Sequence, residues 1–221
     1  QIYSNDDGST YFLKLDEDDL NKQFLYFSYI MNAPQASAQT GGRPSNGKVL
    51  EFRNFKKEKI GLYQINTSYI NKNKNNNISK SSLTNITEAF VEVFKPSAKT
   101  GNSVLINVNS ILLSEKMDSI SYVPSEYREY ISVNYGNQDE SKTFVRNVFN
   151  NKTNTAFEVT FAYENRMPNI NAFSVESVTD PRYLSVTARH IFIGLPDERC
   201  EPRVNDHRVG YVVNKSPEWT S

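Results

Sequence analysis

One short stretch near the C-terminal end of the chain, EPRVNDHRVGYVV at residues 201–213, collects side chains that could do chemistry. It holds His207, one of two histidines, next to Asp206, and the only cysteine, Cys200, lies directly before it. A thiol nucleophile, a histidine base and an aspartate that orients the base would make a cysteine hydrolase. Such a trio is normally assembled from separate elements, whereas these three residues are near neighbours in one loop. The spacing therefore argues against a cysteine hydrolase.

The sequence also lacks the usual metal-binding patterns. Zinc hydrolases commonly carry two histidines one helical turn apart with a glutamate between them, and His190 and His207 are not placed in this way. The acidic run DEDD at residues 16–19 lacks the oxygen spacing of a calcium loop, and we interpret it as an exposed turn or a single helical turn. An adventitious calcium site stays open. We expect no catalytic residue, no metal ligand and no cofactor in this chain.

His190 lies on a mainly apolar face of a predicted strand. In LSVTARHIFIGL at residues 184–195, every second residue from Leu184 to Phe192 shares a face with His190. A histidine on an apolar face is more often a hydrogen-bonded core residue than a base or a ligand. The sequence therefore predicts that His190 is buried in the core.

Composition excludes several classes of function. Lys plus Arg and Asp plus Glu number 25 each, so the net charge is zero and gives no field that attracts a polyanion such as a nucleic acid. A single cysteine excludes an internal disulfide framework. No apolar run reaches the length of a membrane span, so we expect no membrane span.

Alternation of apolar and polar residues is the main structural signal along the chain. It predicts strands at 11–15, 23–30, 48–54, 60–69, 89–95, 103–108, 130–135, 142–149, 155–164, 182–193 and 209–213. Thirteen Tyr and thirteen Phe favour a pleated, half-buried surface. The fold class predicted is mainly β, an antiparallel β-sandwich or barrel-like fold with a few short helices.

Helices and loops complete the predicted organisation. Short helices are expected at 81–88, 109–117 and 124–129, and NDDG at residues 5–8 predicts a tight hairpin turn. Two long polar loops, 32–47 and 71–82, lack any apolar period. We expect one β-rich domain over 1–213, with 214–221 as the start of a linker or of a following element.

The order of these segments, from DLNKQFLYFSYI to the last strand, resembles an N-terminal domain of unknown function (DUF5117-like) of bacterial secreted zinc-dependent, metzincin-like metallopeptidases. The most specific shared element is the ending, where a strand with His, Leu and Pro precedes a turn with two Arg, an Asp, a Gly and a Tyr. The matching residues are His190, Leu195, Pro196, Pro202, Arg203, Asp206, Arg208, Val209, Gly210 and Tyr211. His207 stands where the family commonly has proline, which indicates a substitution in a structural turn.

The resemblance implies a noncatalytic accessory domain that supports, shields or feeds a catalytic metallopeptidase domain of the same parent polypeptide. Zinc is then expected in that catalytic domain, absent from this chain, and the protein is expected to be exported, periplasmic or extracellular. The motif residues would have a structural, interdomain role. Two alternatives stay open: a stand-alone module that binds a glycan or peptide ligand at a bacterial cell surface, and a structural subunit that contacts a partner through a strand edge.

Overall fold

The fold is described from a computed structural model of the chain. The structure describes residues 1–37, 39, 41–42, 44–45, 47–68, 70–71, 86–120, 130–196 and 218–219.

Strands dominate the part of the chain that the structure describes, with 51% of those residues in strands and 11% in helices. The strands are β1 (Ile2–Ser4), β2 (Tyr11–Asp16), β3 (Gln23–Asn32), β4 (Lys48–Phe55), β5 (Lys59–Gln64), β6 (Ile70–Asn71), β7 (Ala89–Phe94), β8 (Pro96–Thr100), β9 (Ser103–Asn107), β10 (Asn137–Gln138), β11 (Phe144–Asn150), β12 (Asn154–Glu164), β13 (Tyr183–Gly194) and β14 (Glu218–Trp219). Helical structure among the described residues comprises α1 (Asn109–Leu112) and the 3-10 turns Glu17–Asp19, Glu115–Met117, Glu140–Lys142 and Ile170–Ser174.

A large antiparallel sheet forms a curled half-barrel. Its order is β10-β12-β13-β3-β4-β5-β7, and β11 pairs with the other end of β12. The centre of the sheet is the long ladder between β12 and β13, which runs from Asn154–Ile193 to Glu164–Tyr183. Every inter-strand pair in this sheet is antiparallel, as predicted for the fold class.

A second sheet has the order β1-β2-β9-β8, and its buried residues join those of the large sheet in one core cluster. The chain crosses from the large sheet to the second sheet at Lys95, the single residue that separates β7 from β8. The two sheets also meet at Asn150, whose side chain accepts a hydrogen bond from the Ile2 amide (2.9 Å) and donates one to the Ile2 carbonyl (2.8 Å). A third, minimal pairing joins β14 to β6 in parallel.

The core is a single apolar cluster that fills the space between the sheets. Phe157, Val159 and Phe161 of β12 are fully buried on the inner face, and Val186 and Ala188 of β13 lie beside them. These are the residues that period-two alternation assigns to one face of each strand. Each fully buried Phe or Val contributes about 1.5–3 kcal/mol relative to an exposed position.

Most of the predicted strands are confirmed, within a few residues at their ends. The region at 109–117 is helical as predicted, and residues 5–10 form the expected hairpin loop, in which Gly8 adopts a left-handed φ of 68°. The acidic run forms the predicted single turn, with Asp16 and Asp19 in a capping box. Loop 32–47 connects the β3–β4 hairpin, as expected.

The predicted strand at 130–135 is wrong. Val133 makes only an isolated bridge to Ser37, and the neighbouring carbonyls are taken by side chains. Asn169 donates to the Ile131 carbonyl (2.6 Å) and Asn165 donates to the Asn134 carbonyl (3.1 Å). Because asparagine amides replace a neighbouring strand as partners, the alternating sequence does not become a ladder.

Other predictions fail or fall outside the described residues. The strand predicted at 60–69 ends at Gln64, and residues 86–88, the described part of the helix predicted at 81–88, are not helical. The prediction missed β1, β8 and β10, which are short or exposed edge strands. Residues 72–85, 121–129 and 197–217 lie outside the described part, so most of loop 71–82, the turn at 124–129 and the strand at 209–213 stay predictions.

Candidate functional site

A cleft of about 350 Å³ opens between the two sheets at the start of β3 and the end of β13. One wall is β2, with Leu13 and Leu15, and the floor is made by the large sheet. The Phe24 ring stacks on Phe52 with centroids 5.3 Å apart, and Phe192 lies 5.8 Å from Phe24. The cleft therefore has an aromatic floor that extends the protein core to the surface.

The rim of the cleft is polar and carries more positive than negative charge. Its lysines are Lys14, Lys22 and Lys152, and its acid is Asp19. Carboxamide and hydroxyl groups from the start of β3 and from the β11–β12 turn complete the rim: Gln23, Asn151, Thr153, Asn154 and Thr155. An apolar floor with a few polar groups at the mouth is the usual composition of a ligand site.

Directly beneath this floor lies the buried pair His190 and Tyr26. Their Nδ1 and hydroxyl atoms are 2.8 Å apart, and both residues are 0% exposed. The imidazole also stacks on Phe157, with centroids 4.6 Å apart and an interplanar angle of 10°. The prediction that His190 is buried in the core is confirmed.

Burial keeps His190 and Tyr26 neutral. Desolvation lowers the pKa of His190 to about 3, and desolvation also raises the pKa of Tyr26 well above its usual value. Within the described residues, His190 Nε2 and Ser28 Oγ have no hydrogen-bond partner. A neutral imidazole sealed beneath aromatic rings has no route to a substrate, so it acts in packing rather than as a base.

The buried histidine predicts an acid-sensitive stability. In the unfolded chain His190 binds a proton near its ordinary pKa of about 6.5, whereas in the folded chain it does so only near 3. The unfolded state therefore gains protons first as the pH falls. We expect the free energy of unfolding to fall by about 1.4 kcal/mol per pH unit between about pH 6 and pH 4 from this residue alone.

Urea unfolding of the wild type and of His190→Leu across this pH range measures that contribution. All other titratable groups are the same in both proteins, so the difference between the two slopes isolates His190. Parallel pH profiles would contradict the buried neutral state.

The outer face of the large sheet is the second notable surface. Two cross-strand rows, Phe149–Ala156–Ile191–Phe27 and Ile193–Leu25–Val49, run across five strands. We call the six larger side chains the outer belt: Leu25, Phe27, Val49, Phe149, Ile191 and Ile193. Phe149 is 40% exposed and the others are half-buried. The large sheet is thus apolar on both faces, which is typical of a sheet covered on both sides.

Two arginine–carboxylate pairs flank the outer belt. Arg189 donates to Glu158 through Nε (2.9 Å) and through Nη2, and Asn147 donates to the other carboxylate oxygen (2.6 Å). Burial raises the pKa of Glu158, but these hydrogen bonds outweigh it and the net pKa lies below the usual value. The Arg189 guanidinium also lies 5.1 Å from the Phe149 ring centroid. Across the sheet, Arg53 bonds both Glu51 and Glu88.

The structure places only part of the predicted motif. His190 is buried at the inner face of β13, Leu195 is exposed at the mouth of the cleft, and Pro196, the next residue, is exposed. The other motif residues lie outside the described residues: Pro202, Arg203, Asp206, Arg208, Val209, Gly210 and Tyr211. Cys200 and His207 also lie outside them. Their interdomain role stays a prediction.

Two absences hold for the part of the chain that the structure describes. It contains no group of three or more His, Cys, Asp or Glu side chains that could hold a metal ion, so these residues do not fit a zinc centre. None of its helices has the length and hydropathy needed to cross a membrane.

Sequence reasoning missed both the cleft and the outer belt. The signal for the outer belt is present in FLYFSYI at 24–30 and HIFIG at 190–194, where apolar residues occupy successive positions instead of alternate ones. A continuous apolar run in a strand indicates burial on both faces. The cleft has no comparable local signal, because its floor combines residues from β3, β4 and β13.

The fold and these surfaces define a β-rich domain with a curled antiparallel sheet and no metal centre in its described residues. The sequence profile of one domain family, described as a domain of unknown function (DUF5117), matches residues 42–221. The chain belongs to this family. No curated protein matches it significantly, and no solved structure does.

Proposed function

We propose that this chain is a noncatalytic N-terminal accessory domain of an exported zinc metallopeptidase, and that it docks against another domain of the same parent polypeptide through its outer belt. The observation that carries the proposal is a large sheet whose inner face fills the core while its outer face also carries rows of apolar side chains. The motif resemblance supports the metallopeptidase parent.

The outer belt has the composition of a docking surface. Its centre is aliphatic and aromatic, with Ile191 and Phe27 paired across β13 and β3. Its borders are the Arg189–Glu158 and Arg53–Glu51 pairs, in which both carboxylates are more than 90% buried. An apolar centre with a polar rim matches the anatomy of protein interfaces, where aromatic residues and arginine are enriched.

In this proposal the domain has a supporting role. The described residues hold no metal-ligand cluster, and their buried histidine is sealed from solvent. In this proposal the zinc ion and the catalytic groups belong to the other domain. The accessory domain stabilises that domain by covering apolar surface on both partners.

The parent polypeptide tests this proposal directly. We expect the parent to bind zinc and cleave peptides, and the isolated chain to do neither. The Ile191→Lys parent should lose activity at a temperature several degrees lower than the wild-type parent, because the substitution places a charge at the centre of the interface. Tyr3→Lys is the matched control, since Tyr3 is 46% exposed on the other sheet.

Two controls complete the test. Thermal unfolding of the isolated Ile191→Lys chain shows how much of the effect belongs to the domain itself. A parent without zinc or peptidase activity would contradict the proposal, and so would equal inactivation temperatures for the wild-type and Ile191→Lys parents.

A further inference from the structure

The cleft between the sheets stays open because one strand position has no side chain. Gly194 ends β13 opposite Phe24, on the inner face. A Cβ added at Gly194 would meet only the Thr153 carbonyl oxygen, at 3.7 Å, and the backbone there has no positive φ. Any side chain could therefore be accommodated by the backbone, and a branched one would project into the cleft.

The charge of the cleft differs from that of the whole chain, whose net charge is zero. Lys14 is paired with Asp16 at 3.2 Å. The Asp19 carboxylate is engaged with the Asp16 amide at 2.9 Å. Within the described residues, Lys22 and Lys152 have no ion-pair partner, so two ammonium groups at the mouth are available to an anionic ligand.

The floor and rim specify the rest of the ligand. The Phe24, Phe52 and Phe192 rings offer an apolar surface that suits an aromatic or aliphatic group. The carboxamides of Gln23 and Asn154 can both donate and accept, which suits a peptide group. A volume of about 350 Å³ holds one or two amino-acid residues rather than a long chain.

We propose that this cleft binds the C-terminal end of a peptide whose last residue is apolar, with the side chain on the phenylalanine floor and the carboxylate among the rim lysines. The phenylalanine floor lies on the inner face of the large sheet and the outer belt lies on its other face, and Ile193 is the one outer-belt residue that also lines the cleft.

The test titrates the whole chain with acetyl-Ala-Ala-Phe, followed by calorimetry and by NMR shifts. We expect saturable binding, at least about fivefold weaker binding of the C-terminal amide, and no saturation with acetyl-Ala-Ala-Ser over the same range. Higher salt should weaken binding of the free acid. Equal binding of the free-acid peptide and its C-terminal amide would overturn the proposal. Binding of phenylpropionate as tightly as the peptide would also overturn it, because the cleft would then be a site for a free aromatic acid.

Matched variants locate the site. Gly194→Val should abolish binding by filling the cleft, and Lys22→Gln should weaken it about fivefold. Lys99→Gln is the control, because Lys99 lies on β8 and pairs with Glu58. Thermal unfolding confirms that Gly194→Val folds. Unchanged binding by folded Gly194→Val, or absence of binding up to about 10 mM peptide, would overturn the proposal and leave the outer-belt proposal untouched.

Discussion

A His190→Ala variant of the chain is expected to lose about 3–5 kcal/mol of unfolding free energy. The imidazole is fully buried, stacks on Phe157 and pairs with the Tyr26 hydroxyl. Truncation removes these contacts and leaves a cavity between β12, β13 and β3. It also leaves the buried Tyr26 hydroxyl without its hydrogen-bond partner. The two penalties act on the same residue, so this is one of the most damaging single changes in the described core.

Urea unfolding at neutral pH measures this effect, with Ser185→Ala as the control. Ser185 is exposed on the same strand, and its truncation should change stability by no more than about 0.5 kcal/mol. A loss below about 1 kcal/mol for His190→Ala would show that the surrounding rings collapse into the space, contrary to the rigid packing argued from the stacked geometry.

A Gly136→Ala variant is expected to lose about 3 kcal/mol or more, through a different cause. Gly136 directly precedes β10, where the chain approaches the end of β12. A Cβ at this position would lie 2.0 Å from the Glu164 carbonyl oxygen and 2.5 Å from the Asn165 Cα. Both atoms belong to the backbone, so no side-chain rotation relieves the contact, and the pairing of Asn137 with Glu164 must shift.

Gly194→Ala is the matched control for this prediction. Its added Cβ meets only one atom, at an ordinary contact distance of 3.7 Å. Thermal unfolding should therefore place Gly194→Ala within about 0.5 kcal/mol of the wild type while Gly136→Ala falls far below it. Equal stability of the two variants would contradict the close approach of residues 136 and 164.

The sequence was sufficient to predict the fold class because the long central strands carry clear period-two patterns. In β12, Phe157, Val159, Phe161 and Tyr163 occupy every second position and all four are buried, while Glu158, Thr160 and Glu164 lie on the other face. The same logic placed His190 in the core correctly. Local patterns succeed where one face of a strand is buried, because the two-residue period then has a direct physical cause.

The failures share a different cause, which is non-local pairing. The segment at 130–135 alternates like a strand, yet its carbonyls bond asparagine side chains from residues 165 and 169. The edge strands β1 and β8 carry little apolar pattern and exist because β2 and β9 pair with them. The cleft is formed by three strands and a glycine that come together only in the folded chain, so no single segment of the sequence predicts it.

Side-chain oxidative footprinting shows whether the outer belt is covered in the parent polypeptide. The measurement compares labelling of Phe27, Phe149 and Ile191 in the isolated chain and in the parent. Tyr3 and Tyr130, which are 46% and 78% exposed, serve as internal references. We expect a severalfold loss of outer-belt labelling in the parent and unchanged labelling of Tyr3 and Tyr130. Equal labelling of the outer belt in both proteins would contradict it.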